Sequence, residues 1–210
     1  MPQTDRQRSA GRSGTANAEA RTRAQRERIL NAAQQCFVEE GFHVASMASI
    51  SATAGMSPGL IYRYFRGKNE IIIAIIERQL GLLRTEIALL DGQVDLASKL
   101  TERYGNCGAG LTPGLSPALV LEMSAAATRD PEIAAAVAAF DTAIRTDITA
   151  WFHRAHTDKT KGLTARAATI RALILQCLID GLKVRQTREP EIDRKLLKAA
   201  LNEIVPSLLK

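Results

Sequence analysis

Between residues 164 and 187 the small and apolar residues Ile170, Leu173, Ile174, Cys177, Leu178, Gly181 and Leu182 recur at offsets 0, 3, 4, 7, 8, 11 and 12. Steps of three and four draw one stripe along an α-helix, whereas a strand would repeat every two residues. So long a stripe has to be covered, which commits the chain to helices packed on helices. Residues 191 to 208 repeat the rhythm with Leu196, Leu197, Ala200, Leu201, Ile204, Val205 and Leu208. Near the other end Ile29, Ala33, Cys36 and Phe37 fall at offsets 0, 4, 7 and 8. Apolar residues make up 46% of the 210 but aromatic ones only 4%, so the core must be built from alanine and leucine, both good helix formers. The expected fold is all-α, with about nine helices.

Breaks in the pattern divide the chain. Residues 1 to 20 carry Gln, Ser, Gly, Thr and Arg with almost no large apolar side chain, too little to offset the entropy of ordering, and read as a flexible basic tail. Residues 21 to 68 hold three helices, the first ending at Gly41. A long helix then begins at Lys68 and opens residues 69 to 210, where a Gly- and Pro-rich loop over 105 to 117 and the Asp130-Pro131 and Glu189-Pro190 pairs separate further helices.

Residues 46 to 65 are read most closely. Ser46 suits an N-cap, Ala54-Gly55-Met56 a turn, and Ser57-Pro58 the start of another helix, with serine as cap and proline in the first position. Two short helices around a glycine turn are a helix-turn-helix, whose second helix enters the DNA major groove. Ile50, Ala54, Met56 and Ile61 fill its inside, which leaves Ser57, Pro58, Gly59, Tyr62 and Arg63 outward, small enough at the tip to approach base edges. The charge agrees. The net +6 is concentrated, since residues 1 to 70 hold ten Arg and Lys against six Asp and Glu, and a basic region of this kind suits a polyanion. Arg21, Arg23, Arg26 and Arg28 could each add a phosphate or minor-groove contact or simply be solvated.

Ser46-Met47, Ile50, Ala54-Gly55-Met56-Ser57, Gly59, Tyr62-Arg63-Tyr64-Phe65 and Lys68, preceded by Ala32-Ala33, Phe37, Gly41 and Phe42, resemble the signature of tetracycline-repressor (TetR) family regulators over residues 21 to 80. Ser51 departs from it, where the family usually has alanine; a hydroxyl there can bond back to its own helix. The resemblance implies that Ser57, Gly59 and Tyr62 meet the groove while Ser46, Tyr64 and Lys68 hold phosphates. It also implies that the last two helices form a homodimer, and Ile174, Leu178, Gly181, Leu197, Leu201 and Ile204 are the expected interface. A ligand pocket would then lie between, with Tyr104, Met123, Phe140, Trp151, Phe152 and Cys177 as expected lining for a lipophilic effector. Phe65 is expected to pack the third helix onto its neighbours.

Other chemistries find little support. The sequence contains no phosphate loop, nucleophile elbow or His-Glu-x-x-His helix, so no enzyme activity and no cofactor are expected. Cys36, Cys107 and Cys177 lie about seventy residues apart, in no metal-ligand spacing. His153 and His156, with Asp158 nearby, could share a metal and Cys107 could sense redox state, but a third metal ligand and a resolving cysteine are not evident. The longest purely apolar run, 71 to 76, falls far short of the roughly 20 residues a membrane span needs. The expectation is a cytoplasmic, ligand-responsive repressor that binds a double-stranded palindromic operator and no membrane. The competing reading is an activator or architectural DNA-binding protein without an effector.

Overall fold

The computed structural model describes residues 5–90, 95–105, 116–155 and 163–209, with the side chains of the first helix described from Asn17 onward. Among the described residues there are nine α-helices and no strand. They are α1 (Asp5–Glu39), α2 (Met47–Ala54), α3 (Pro58–Tyr62), α4 (Lys68–Ala88), α5 (Leu96–Arg103), α6 (Pro117–Ala127), α7 (Pro131–Ala155), α8 (Ala165–Arg188) and α9 (Arg194–Leu209). The chain forms two compact units, Met1–Ile71 and Ile72–Lys210.

One expectation is corrected at once. The helix that the apolar period places from Arg21 begins at Asp5, so most of the stretch read as a flexible tail is helical. Gly11, Ser13 and Gly14 disfavour helix, but the alanines, arginines and glutamine around them favour it, and a helical backbone does not itself require a buried face. Residues 17 to 24 are all exposed, which is why no apolar period marks them.

In the first unit the C-terminal half of α1 buries Ile29, Ala33, Cys36 and Phe37, the four residues of its stripe. Ile50 and Ala54 of α2, Ile61 of α3, and Phe42 and Phe65 complete this core. Phe37 and Phe42 meet edge to face with centroids 5.2 Å apart, a favoured aromatic geometry.

In the second unit each helix start is chemically specified. Asp95 accepts from Ser98 N (2.9 Å), Ser116 from Leu119 N (3.2 Å), Asp130 from Glu132 N and Ile133 N, and Thr164 from Ala167 N (3.2 Å). Each satisfies backbone N–H groups that have no partner within the helix. The core joins Ile87 of α4, Leu96 and Leu100 of α5, Ile144, Ile148, Trp151 and Phe152 of α7, Ala168, Ala172 and Leu175 of α8, and Leu197, Leu201 and Val205 of α9. Tyr104, buried at the end of α5, donates its hydroxyl to the Glu189 carbonyl (2.8 Å), while Arg194 donates to the Thr101 carbonyl (2.7 Å). These bonds tie α5 to the junction of α8 and α9. Burial raises the Tyr104 phenol above its ordinary value, with the nearby Glu189 carboxylate adding to the effect.

Candidate nucleic-acid interface

The segment 46 to 65 folds as its local chemistry dictates. Ser46 caps α2 by accepting from Ser49 N (3.0 Å), and the Ser49 hydroxyl accepts in return from Ser46 N (2.9 Å), a reciprocal box. Gly55 ends α2 in the left-handed conformation (φ 59°, ψ 41°), and Met56 N closes the turn on the Ser51 carbonyl (3.0 Å). A β-carbon there is strained, so this is a glycine position. Ser57 caps α3 by accepting from Leu60 N (3.3 Å), and Pro58 takes its first turn. Ile50, Ala54 and Ile61 are buried and Met56 half-buried, which fixes how α3 rests on α2. Ser51 is buried and donates its hydroxyl to the Met47 carbonyl at 2.6 Å, the back-bond expected of it.

The outward face is the one the sequence indicates. Ser57, Pro58, Gly59 and Arg63 are exposed, and Tyr62 is 53% exposed although it is a large aromatic. A β-carbon on Gly59 would meet nothing within 4 Å, so the tip of α3 is open for close approach. The Ser57 hydroxyl uses its oxygen in capping and keeps a proton it can donate, whereas the Ser46 hydroxyl both accepts from Ser49 N and donates to the Ser49 hydroxyl oxygen (3.3 Å). Tyr64 is half-buried and Phe65 is core, as expected of the latter.

Lys68 opens α4, but its ammonium is already engaged. Nζ donates to the Phe42 carbonyl (2.8 Å) and the His43 carbonyl (3.1 Å) and lies 5.1 Å from the Phe42 ring. Burial lowers its pKa from the ordinary lysine value. Of its three donors one remains for a phosphate. Two arginines prove to be structural. Arg26 donates to the Tyr64 carbonyl (3.1 Å) with its guanidinium 4.3 Å over the Phe65 ring, and Arg28 donates to the Gly55 carbonyl (3.3 Å). Together they clamp α1 to both ends of α3. Sequence periodicity missed this role, because both residues flank the buried stripe of α1 and look solvated when only that stripe is considered.

The second unit departs further from expectation. Tyr104, Met123, Trp151 and Phe152 are buried in close packing, with the Trp151 and Phe152 rings tilted by 50° at a centroid distance of 4.8 Å, and Phe140 packs against the core that holds Tyr104, Trp151 and Phe152. None of them lines either of two clefts formed by described residues. The larger, about 410 Å³, is an open groove between Thr142, Arg145, Thr146, Thr149, Ala150 and His153 of α7 and Thr169 of α8. The smaller, about 140 Å³, lies beside the Arg84–Asp147 ion pair. Cys177 is exposed on α8, outside that packing, and lines neither of these two clefts.

Two interface residues are corrected as well. Leu197 (6% exposed) and Leu201 (2%) belong to the protomer's own core, whereas Leu196 (64%) and Ile204 (47%) face out. Adjacent residues project about 100° apart on a helix, so the wide apolar arc of α9 holds two stripes, and period alone cannot say which is turned inward. On α8, Ala168, Ala172 and Leu175 face the core, and Ile170, Leu173, Ile174 and Gly181 are exposed on the opposite side. Leu178 is partly buried against the core. His156, Asp158 and Cys107 lie outside the described residues, and no metal-binding cluster occurs among those described. No described helix is long and apolar enough to cross a membrane.

Known proteins share both halves of this arrangement. The family model for bacterial regulatory proteins of the tetR family matches residues 29–75, and that for the C-terminal region of BetI-type transcriptional repressors matches residues 116–210. The HTH-type transcriptional regulator UidR of Escherichia coli K12 is 37% identical over 127 residues, a stretch covering 57% of this chain and 60% of that protein's length. Among solved structures, Salmonella enterica GusR superposes with a TM-score of 0.66 at 28% identity, covering 86% of this chain and 95% of that one. Reduced Escherichia coli NemR superposes with a TM-score of 0.68 at 16% identity, covering 86% and 97%, a likeness of fold.

Proposed function

Because the chain belongs to the TetR family of bacterial regulatory proteins, we propose that it is a DNA-binding transcriptional regulator of the cytoplasm, a repressor that holds a palindromic operator as a homodimer and is released by a small lipophilic effector. The observation that carries this reading is the tip of α3. Ser57, Pro58, Gly59, Tyr62 and Arg63 stand exposed on a helix whose other side is locked into a core, the form in which a recognition helix enters a major groove. Ser46, Tyr64 and the remaining Lys68 donor flank that tip as phosphate ligands.

The homodimer is supported by exposed apolar residues on both of the last helices, Ile170, Leu173 and Ile174 on α8 and Leu196 and Ile204 on α9. Scattered apolar residues on a surface need no partner, but a stripe running along two helices does. With Leu197 and Leu201 facing inward, the interface expected here is Ile174, Leu178, Gly181 and Ile204, widened by Ile170, Leu173 and Leu196. A two-fold axis through it would set two α3 helices against half-sites about 34 to 36 Å apart. The repressor sense rests on the BetI-type match of the C-terminal half. The test is to sequence the genomic fragments that the purified protein retains, and then to measure their release by compounds that raise its melting temperature. Retention of a defined palindrome, lost on adding a stabilising compound, is the expected result; retention of no fragment above background overturns the reading.

One observation favours a second reading, a DNA-binding protein without an effector: Tyr104, Trp151 and Phe152 fill the space a ligand would need. Calorimetry of a stabilising compound against free and DNA-bound protein separates the two. If an effector weakens DNA binding a hundredfold, about 2.7 kcal/mol of coupling, DNA must weaken effector binding by the same factor.

A further inference from the structure

We propose that the open groove between α7 and α8 is a binding site for a small polyhydroxylated acid. It is a surface site, separate from the filled core of the second unit, and it does not depend on the DNA-binding reading. Thr142, Thr146, Thr149 and His153 fall at offsets 0, 4, 7 and 11, a single line along α7 on the side opposite the buried Ile144, Ile148 and Trp151. The outer face of a helix ordinarily carries long, charged side chains, whereas threonine is β-branched and a weaker helix former. Helix formation therefore does not explain three threonines in one line. Their short side chains leave open a groove of about 410 Å³, within the range of small-ligand sites.

The hydroxyl protons of the groove are already committed. Thr146 donates to the Thr142 carbonyl (2.9 Å), Thr149 to the Arg145 carbonyl (2.7 Å) and Thr169, on the α8 side, to the Ala165 carbonyl (3.0 Å). A hydroxyl whose proton is bound within its own helix meets a ligand as an acceptor. The walls thus offer three oxygen acceptors, which call for a ligand rich in O–H donors. Arg145 supplies the opposite polarity. Its guanidinium donates to Gln176 Oε1 at 3.4 Å, a long bond, and among the described residues no carboxylate forms an ion pair with it. Asp141, one turn earlier, lies within range of its charge, but burial and the nearby Asp180 raise that carboxyl above its ordinary value and weaken its claim on the guanidinium. None of the residues lining the groove is a carboxylate. A planar guanidinium is a bidentate partner for an acid group, and Ala150 with the threonine methyl groups gives the C–H skeleton of a ligand an apolar floor. Hydroxyl donors, one acid group and a short carbon skeleton together match these walls.

The test is calorimetry on the full chain, without DNA, using gluconate, hexanoate and sorbitol, which carry respectively both kinds of group, the acid alone and the hydroxyls alone. Gluconate should bind saturably, and each of the other two should bind at least about tenfold more weakly, because each forfeits one set of hydrogen bonds. R145A should weaken gluconate about tenfold or more, since it removes a charge-assisted pair. T146V/T149V, which keeps the shape of both side chains and removes two acceptors, should weaken it by about tenfold. T187V removes a hydroxyl of α8 that bonds back to Val184 outside the groove, and it should bind gluconate as the unaltered chain does. No saturable binding of gluconate up to roughly 50 mM overturns the proposal. So does binding of hexanoate as tight as that of gluconate, or binding of gluconate unchanged in both R145A and T146V/T149V. None of these results bears on the DNA-binding reading.

Discussion

The first unit, Met1–Ile71, and the second, Ile72–Lys210, were read from the same sequence with unequal success, and the difference is one of locality. In the first, the deciding interactions lie within a few residues of each other: the Ser46–Ser49 box, the left-handed Gly55, the Ser57 cap followed by Pro58. Sequence spacing states such features almost completely, and the outward set Ser57, Pro58, Gly59, Tyr62 and Arg63 follows from them. In the second unit the caps are equally legible, but which side of a helix meets its own core depends on helices far away in sequence. Two adjacent stripes of α9 satisfy the same period, and only its packing against distant elements such as α5 turns Leu197 and Leu201 inward and Leu196 and Ile204 outward.

This contrast can be broken most sharply on α9 itself. Leu201→Glu buries an unpaired charge in the protomer core and should lower unfolding stability by several kcal/mol in chemical denaturation. Leu196→Glu, five residues and a change of face away, should leave the denaturation midpoint of the isolated protomer nearly unchanged while shifting light scattering from dimer to monomer. Equal loss of stability in both variants would erase the distinction between the two stripes.

A smaller effect tests the turn of the first unit. Gly55→Ala places a β-carbon in the left-handed region and should cost about 1 to 2 kcal/mol. The β-carbon also comes within 2.8 Å of an Arg28 guanidinium nitrogen, which can swing aside only by releasing its bond to the Gly55 carbonyl. A melting temperature equal to that of the unaltered chain would show that the turn is not held as described. The smallest effect belongs to Ser51→Ala. It removes a hydroxyl that bonds only to its own helix, at Met47, so the gain in helix propensity should offset the lost bond and stability should change by less than about 0.5 kcal/mol.

What stayed illegible has a common physical cause. Tyr104, Met123, Trp151 and Phe152 look the same in sequence whether they line a cavity or fill one, because volume complementarity is set by several helices at once. Cys177 reads as part of the α8 stripe, and only the position of the core shows that it stays exposed while Leu178 and Leu182 of the same stripe pack inward. The length of α1 escaped for the opposite reason: without an apolar face, periodicity has nothing to register over its exposed residues 17 to 24.

The central claim is that α3 of the first unit reads DNA, and the most direct measurement is selection from a random-sequence duplex library by the unaltered chain and by Tyr62→Ala. The account predicts that the unaltered chain enriches a two-fold symmetric motif with half-site centres about 10 base pairs or a multiple apart, and that Tyr62→Ala loses or changes the preferred bases within each half-site. Enrichment of the same motif to the same degree by both proteins, or of none by either, would contradict it.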